Sequence, residues 1–208
     1  MATKPEMMNL FAVPVSKFSL GRSFTESERL FFSEALQDPN KAISNYSSKN
    51  KNVLDAIEMA DIRTQIQNHL DLYFTTVFGT ANEVSLRITQ SWLALSRRGD
   101  SHHSHTHPNS VISGVLYINL AETDGINFFR NEDNIWYHLI PKEQNYYNAF
   151  RAFIQTKMGD ILLFPSNISH GVGEVTDDIE RVSLAFNTFF TGELGDPEHS
   201  NALRIITS

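Results

Sequence analysis

A helical pattern of apolar positions occupies the first part of the chain. In the segment 61–78 the apolar side chains recur at the spacing of one helix face, which predicts an amphipathic helix packed on a sheet. They are Ile62, Ile66, Leu70, Tyr73, Phe74 and Val77. Gly79 stands at the position favoured just past a helix end. A shorter helix is predicted to begin after Thr25, because Glu28 completes the order of a capping box.

From Val84 onward the pattern changes to short apolar runs separated by turns, which is typical of β-strands. The predicted strands are 84–89, 91–95, 111–120, 126–129, 152–157, 161–164 and 181–190, with edge strands at 9–15 and 203–206. The polar segment 45–52 is predicted to be a loop, and 131–148 a lid-like loop. Helices followed by about eight short strands predict an α+β protein with a sandwich or barrel core. We expect one domain over residues 1–208, with the N-terminal helices packed on one sheet.

Charge and composition narrow the range of partners. The net charge is −7, which disfavours a basic surface for nucleic acid or an anionic membrane. The chain has no cysteine, which excludes thiolate sites. No apolar run approaches the ~20 residues that cross a bilayer, and residues 1–14 do not resemble a signal peptide. We expect a cytoplasmic protein, for which a homodimer is a candidate state.

A histidine-rich segment precedes the predicted strand 111–120. Four of the chain's eight histidines lie between His102 and His107. Neutral imidazole is a common ligand of divalent transition metals, and on an extended chain His105 and His107 point to the same side. A solvated polar loop is the alternative, but we favour a metal site, with His170 as the best distant third ligand. His102 and His103 are expected outside the metal shell, as outer-shell or exposed residues.

The strand after His170 adds a candidate carboxylate-binding residue. Arg181 is either an ordinary exposed strand residue or a cation that points into the barrel, where its planar fork suits a carboxylate. Ser183 lies two residues on and faces the same side, so it could add a hydroxyl donor. Tyr117 is either a core residue or a second hydroxyl that reaches the same carboxylate.

Together these motifs resemble a known family. They are Ser91-Trp92, His105-Thr106-His107-Pro108-Asn109-Ser110, 112–117, 163–166, His170 and 181–187. The chain resembles the 2-oxoglutarate- and Fe(II)-dependent oxygenases of bacteria and phages, which are related to prolyl 4-hydroxylases. The resemblance implies a double-stranded β-helix (jelly-roll) core, with Fe(II) and 2-oxoglutarate as cofactors. It also implies that dioxygen hydroxylates an unidentified substrate, with release of succinate and CO2 and no catalytic residue beyond the metal ligands.

One departure from the family pattern concerns the third ligand. The usual iron shell has two histidines and a carboxylate, which stands two residues after the first histidine. If His105 is that first histidine, His107 takes the carboxylate position. If His107 is first, Asn109 takes it. The aspartyl/asparaginyl β-hydroxylases share a His-Thr-x-Pro run without the carboxylate, which favours His105 as the first ligand.

Two other classes of function stay open at this point. One is a non-redox, cupin-like jelly roll that binds a metal or another ligand, because a fold does not determine a function. The other is a phage structural protein with the same fold. Decarboxylation of 2-oxoglutarate would separate the oxygenase from the first alternative. A trimer without bound metal would favour the second.

Overall fold

The computed structural model describes residues 5–130, 139–199 and 201–206. Two α-helices and twelve β-strands occur in these ranges. The helices are α1 (Glu26–Ala35) and α2 (Ala60–Val77). The strands are β1 (Ser16–Ser19), β2 (Asn40–Lys41), β3 (Tyr46–Ser47), β4 (Val84–Ser96), β5 (His102–His105), β6 (Ile112–Asn119), β7 (Gly125–Phe129), β8 (Arg151–Gln155), β9 (Asp160–Pro165), β10 (Ser169–Val172), β11 (Arg181–Leu194) and β12 (Leu203–Ile205).

The strands form two sheets. The larger sheet has the order β1-β9-β6-β11-β4-β3-β2, and β12 pairs with β11 beside that path. The smaller sheet has the order β5-β10-β7-β8. The ladders between these strands are antiparallel. Sequence-distant strands therefore become neighbours, as the pairing of β6 with both β9 and β11 illustrates.

Two hydrophobic clusters lie on opposite faces of the larger sheet. In the first cluster, the buried face of α2 joins residues of the larger sheet such as Leu93, Leu116 and Leu184. The second cluster combines Tyr117 and Phe164 of the larger sheet with Phe128 of the smaller one. Successive strand residues point to opposite faces, which is why Leu116 and Tyr117 belong to different clusters. The mostly β architecture with few helices agrees with the predicted class.

Both predicted helices are present. The α1 cap is a complete capping box, because Thr25 Oγ1 accepts the backbone N–H of Glu28 at 3.2 Å and Glu28 Oε2 accepts that of Thr25 at 2.7 Å. Helix α2 matches the predicted stripe from Ile62 to Phe74, with Ile62, Ile66 and Leu70 fully buried. The prediction is wrong for Val77, which is 39% exposed at the end of the helix. Among the described residues no helix combines the length and the apolar character that crossing a membrane requires.

The prediction of a strand at 9–15 is wrong. The first strand is β1, which pairs with β9, whereas Leu10 and Phe11 are 75% and 95% exposed. Phe11 also has a φ of 59°, in the left-handed region that is incompatible with a strand. Residues 9–13 are therefore exposed despite their apolar composition, whereas Val15 packs on the second hydrophobic cluster.

Two predicted loops differ in their outcome. The polar segment 45–52 contains the short strand β3, which pairs with β4 at the edge of the larger sheet. Of the predicted lid-like loop 131–148, residues 131–138, which include Trp136 and Tyr137, lie outside the described residues. Residues 139–148 contain no strand or helix.

Candidate functional site

Three histidines meet between neighbouring strands of the smaller sheet. His105 is the last residue of β5 and lies opposite His170 of β10, and His107 follows in the loop after β5. One side-chain nitrogen of each lies within 4.8 Å of the other two. His107 Nε2 and His170 Nε2 are 3.3 Å apart. We call His105, His107 and His170 the histidine cluster.

Backbone carbonyls orient two rings of the histidine cluster. His105 Nδ1 lies 2.8 Å from the carbonyl oxygen of His103, and His170 Nδ1 lies 3.0 Å from that of Ile168. A carbonyl oxygen only accepts, so each neutral ring carries its proton on Nδ1 and leaves the Nε2 lone pair available. This arrangement is typical of histidines that bind a metal.

Burial keeps these imidazoles neutral. It lowers the pKa of His170 to about 3 and that of His107 to about 4, and it also lowers the pKa of His105. Desolvation disfavours the charged form of a histidine, and the neighbouring rings add to the effect. The three rings therefore have unprotonated nitrogens at neutral pH, which is the form that binds a metal ion.

A buried network of hydroxyl groups holds the loop that carries His107. The backbone N–H of His107 donates to the carbonyl oxygen of Ser166 at 2.9 Å. Ser166 Oγ donates to Ser110 Oγ at 2.7 Å and lies 2.8 Å from Ser113 Oγ, which donates to Asn187 Oδ1 at 2.9 Å. Because Ser166 is fully buried, these bonds fix the loop relative to β6 and β11.

A cavity extends from the histidine cluster into the space between the two sheets. Its far part is lined by Tyr117 of β6 and by Arg181 and Ser183 of β11, which we call the arginine end. Ser183 pairs with Tyr117 across the ladder, and the Arg181 guanidinium carbon lies 5.6 Å from the centre of the Tyr117 ring. The Tyr117 hydroxyl is buried without a hydrogen-bond partner among the described residues. An unpaired buried hydroxyl of this kind suits a polar ligand.

Arg181 is ion-paired. Its Nε donates to Asp124 Oδ2 at 2.6 Å, and its Nη2 donates to the carbonyl oxygen of Gly125 at 3.4 Å. Arg181 is 4% exposed, so the alternative of an ordinary exposed strand residue is wrong. Arg181 nevertheless lines the cavity, as Tyr117 does.

The remaining residues of the histidine segment lie in different places. Asn109 is exposed in a turn with a φ of 58° and does not line the cavity, whereas His103 is exposed, as expected. His102 is half-buried, lines the cavity and stacks on His105 with ring centres 4.6 Å apart. Burial lowers the pKa of His102 to about 3.

Sequence reasoning missed Asp124. Its position in a turn just before Gly125 carries no motif, and its partner Arg181 is 57 residues away. For His102 the two alternatives were an outer-shell or an exposed residue, and its stacking on His105 agrees with the first.

Comparisons with known proteins point in one direction. Residues 90–187 match a family model described as "Putative 2OG-Fe(II) oxygenase". This segment contains the histidine cluster and the arginine end. A search of curated proteins finds no significant match.

Solved structures share the fold at low sequence identity. A Pseudomonas putida prolyl-4-hydroxylase has 15% identity and a TM-score of 0.54, over 84% of this chain and 92% of that one. HygX from Streptomyces hygroscopicus, solved with nickel and 2-oxoglutarate bound, has 11% identity and a TM-score of 0.57, over 85% and 82%. The α-ketoglutarate-dependent carbocyclase SnoK of nogalamycin biosynthesis has 12% identity and a TM-score of 0.61, over 86% and 82%.

Proposed function

We propose that this chain is an Fe(II)- and 2-oxoglutarate-dependent dioxygenase. The match of residues 90–187 to the 2OG-Fe(II) oxygenase family model supports the proposal. The activity is hydroxylation of a substrate coupled to conversion of 2-oxoglutarate into succinate and CO2. The observation that carries the proposal is one cavity that joins the histidine cluster to a buried arginine.

The histidine cluster fits a divalent metal ion. His105, His107 and His170 are the proposed ligands, because their nitrogens converge and two of their rings are already oriented by carbonyl oxygens. His107 occupies the position of the usual carboxylate, and Asn109 is the weaker alternative because its side chain is exposed. When bound, Fe(II) would supply the redox chemistry with dioxygen.

The arginine end fits the distal carboxylate of 2-oxoglutarate. Arg181 would donate to that carboxylate, and the hydroxyl groups of Ser183 and Tyr117 would add neutral hydrogen bonds. Burial raises the pKa of Tyr117, so its hydroxyl keeps its proton and remains a donor at neutral pH. Apolar lining residues such as Ile126 and Phe164 limit water around the bound acid.

Succinate formation tests the activity. The protein is loaded with Fe(II) under anaerobic conditions, mixed with 2-oxoglutarate and dioxygen, and assayed for succinate and CO2. We expect slow turnover even without the primary substrate. His170→Ala should abolish it, and His199→Ala serves as the control, because His199 is an exposed residue paired with Asp196. Metal binding without any turnover would favour the alternative of a non-redox binding jelly roll.

We propose that residues 1–208 form a single domain, supported by the pairing of β1 with β9 and of β12 with β11. We propose that the N-terminal helices form a layer on the larger sheet of the jelly roll, supported by the hydrophobic cluster that contains both. The cytoplasmic location and the homodimer stay predictions.

A further inference from the structure

Asp124 is a carboxylate that the proposed site does not use. Its Oδ2 accepts Arg181 Nε at 2.6 Å, and its Oδ1 accepts the backbone N–H of Gly125 at 2.5 Å. The side chains of Arg181 and Asp124 are 5% and 16% exposed. A carboxylate this close to a buried guanidinium compensates its charge, and the two behave as a neutral pair.

The position of this negative charge is unusual for the proposed chemistry. The usual non-haem iron shell carries one carboxylate on the metal, whereas the histidine cluster consists of three neutral imidazoles. Among the described residues that line the cavity, Arg181 is the only one with a formal charge when the histidines are neutral. The carboxylate of Asp124 does not line the cavity, but through its ion pair with Arg181 it restores the total charge of the usual site.

We propose that Asp124 supplies, at the arginine end, the negative charge that the usual shell carries at the metal. This inference rests on the proposed function. Three neutral ligands leave the full positive charge of Fe(II) for the 2-oxo acid group, while the distal carboxylate meets an arginine that is already paired. Most of the binding energy of the co-substrate therefore comes from the metal at the histidine cluster. Asp124 weakens the interaction of Arg181 with the distal carboxylate.

The prediction from this role differs from that of a purely structural residue. Asp124→Asn keeps the shape but leaves the buried guanidinium without a counter-charge, so the ligand-free protein is destabilised. The distal carboxylate then becomes the counter-charge, and 2-oxoglutarate should bind about tenfold more tightly or better. If Asp124 only positioned Arg181, Asp124→Asn would instead weaken 2-oxoglutarate binding, because the Arg181 guanidinium would lose its fixed orientation.

The experiment compares two ligands on Mn(II)-loaded protein. The first is 2-oxoglutarate, and the second is 2-oxopentanoate, which carries a methyl group in place of the distal carboxylate. Calorimetric titration should show that Asp124→Asn tightens 2-oxoglutarate alone and that 2-oxopentanoate affinity stays unchanged. Asp61→Asn is the matched control: it also breaks an aspartate–arginine ion pair, with Arg22 at 2.5 Å, but Arg22, unlike Arg181, does not line the cavity, so it should change neither affinity.

Weaker 2-oxoglutarate binding in Asp124→Asn would overturn the inference, as would an equal change for both ligands. If this variant fails to fold, the parent protein decides the question. The parent protein should bind 2-oxoglutarate less than about a hundredfold more tightly than 2-oxopentanoate. A hundredfold ratio of the two dissociation constants is roughly what an uncompensated buried charge would give. A larger ratio would overturn the inference. If the parent protein binds neither acid in the presence of metal, the proposed function itself fails.

Discussion

The histidine cluster and the arginine end lie in one cavity but are built in different ways. In the histidine cluster, His105 and His170 are each oriented by the carbonyl oxygen two residues earlier in the chain. At the arginine end, Arg181 is held by Asp124 across 57 residues, and Ser183 meets Tyr117 across a strand ladder. The ring orientations at the first end depend on local backbone geometry, whereas the contacts at the second end depend on how the sheets assemble.

The two ends also differ in charge. The histidine cluster is neutral because burial disfavours protonated imidazole, so a bound cation would meet no formal charge from its ligands. The arginine end contains a buried ion pair, which loses stability when one partner is removed. Substitutions in the histidine cluster should therefore act mainly on metal affinity, and those at the arginine end on co-substrate affinity and on the stability of the fold.

The largest expected effect is the loss of metal in His170→Ala. His170 is the most buried member of the histidine cluster, and its ring is fixed by Ile168 on one side and Phe164 on the other. We expect calorimetry to detect no specific Fe(II) or Mn(II) binding, because the most buried of the three proposed ligands is lost. His199→Ala should bind the metal like the parent protein. Unchanged metal content in His170→Ala would remove His170 from the shell.

Substitutions of His107 sharpen the difference in charge between the two ends. His107→Ala should weaken metal binding by at least about tenfold, because loss of an outer-shell partner alone costs roughly 10–100-fold. His107→Asp places a carboxylate at the position of the usual triad and should recover most of that affinity. Metal titrations of both variants measure this. If alanine and aspartate behave alike, position 107 does not coordinate the metal.

Arg181→Lys tests the arginine end without changing formal charge. Lysine lacks the planar fork that contacts Asp124 and a carboxylate together, so 2-oxoglutarate affinity should fall by about tenfold or more. Mn(II) affinity, measured without the acid, should stay at the parent value. Arg204→Lys, in the exposed strand β12, is the matched control. Equal 2-oxoglutarate binding by the parent protein and Arg181→Lys would make Arg181 a structural residue.

The smallest expected effect concerns the support of the histidine cluster. Ser166→Ala removes a buried hydroxyl from the network with Ser110 and Ser113, and should lower the free energy of unfolding by about 1–3 kcal/mol. Metal affinity should fall less than in His107→Ala, because the backbone contact between Ser166 and His107 remains. Urea unfolding and a metal titration measure the two effects. Ser33→Ala, on the exposed face of α1, should change neither.

Much of this molecule follows from local sequence. The period of apolar residues and the Thr25–Glu28 capping box determined both helices, and the histidine spacing determined which side chains are candidate ligands. These features depend on neighbours within a few residues, where backbone geometry leaves few options. The same local reasoning produced the error at 9–15, since apolar composition alone does not supply a strand partner.

Tertiary structure decided the rest. The pairing of β5 with β10 placed His170 opposite His105, and the turn before β7 placed Asp124 against Arg181. Neither contact can be predicted from nearby residues in the sequence. Both contacts depend on which strands become neighbours after the chain has crossed between the two sheets. The residue types at the site are thus readable from the sequence, whereas the charge that surrounds Arg181 is a property of the assembled fold.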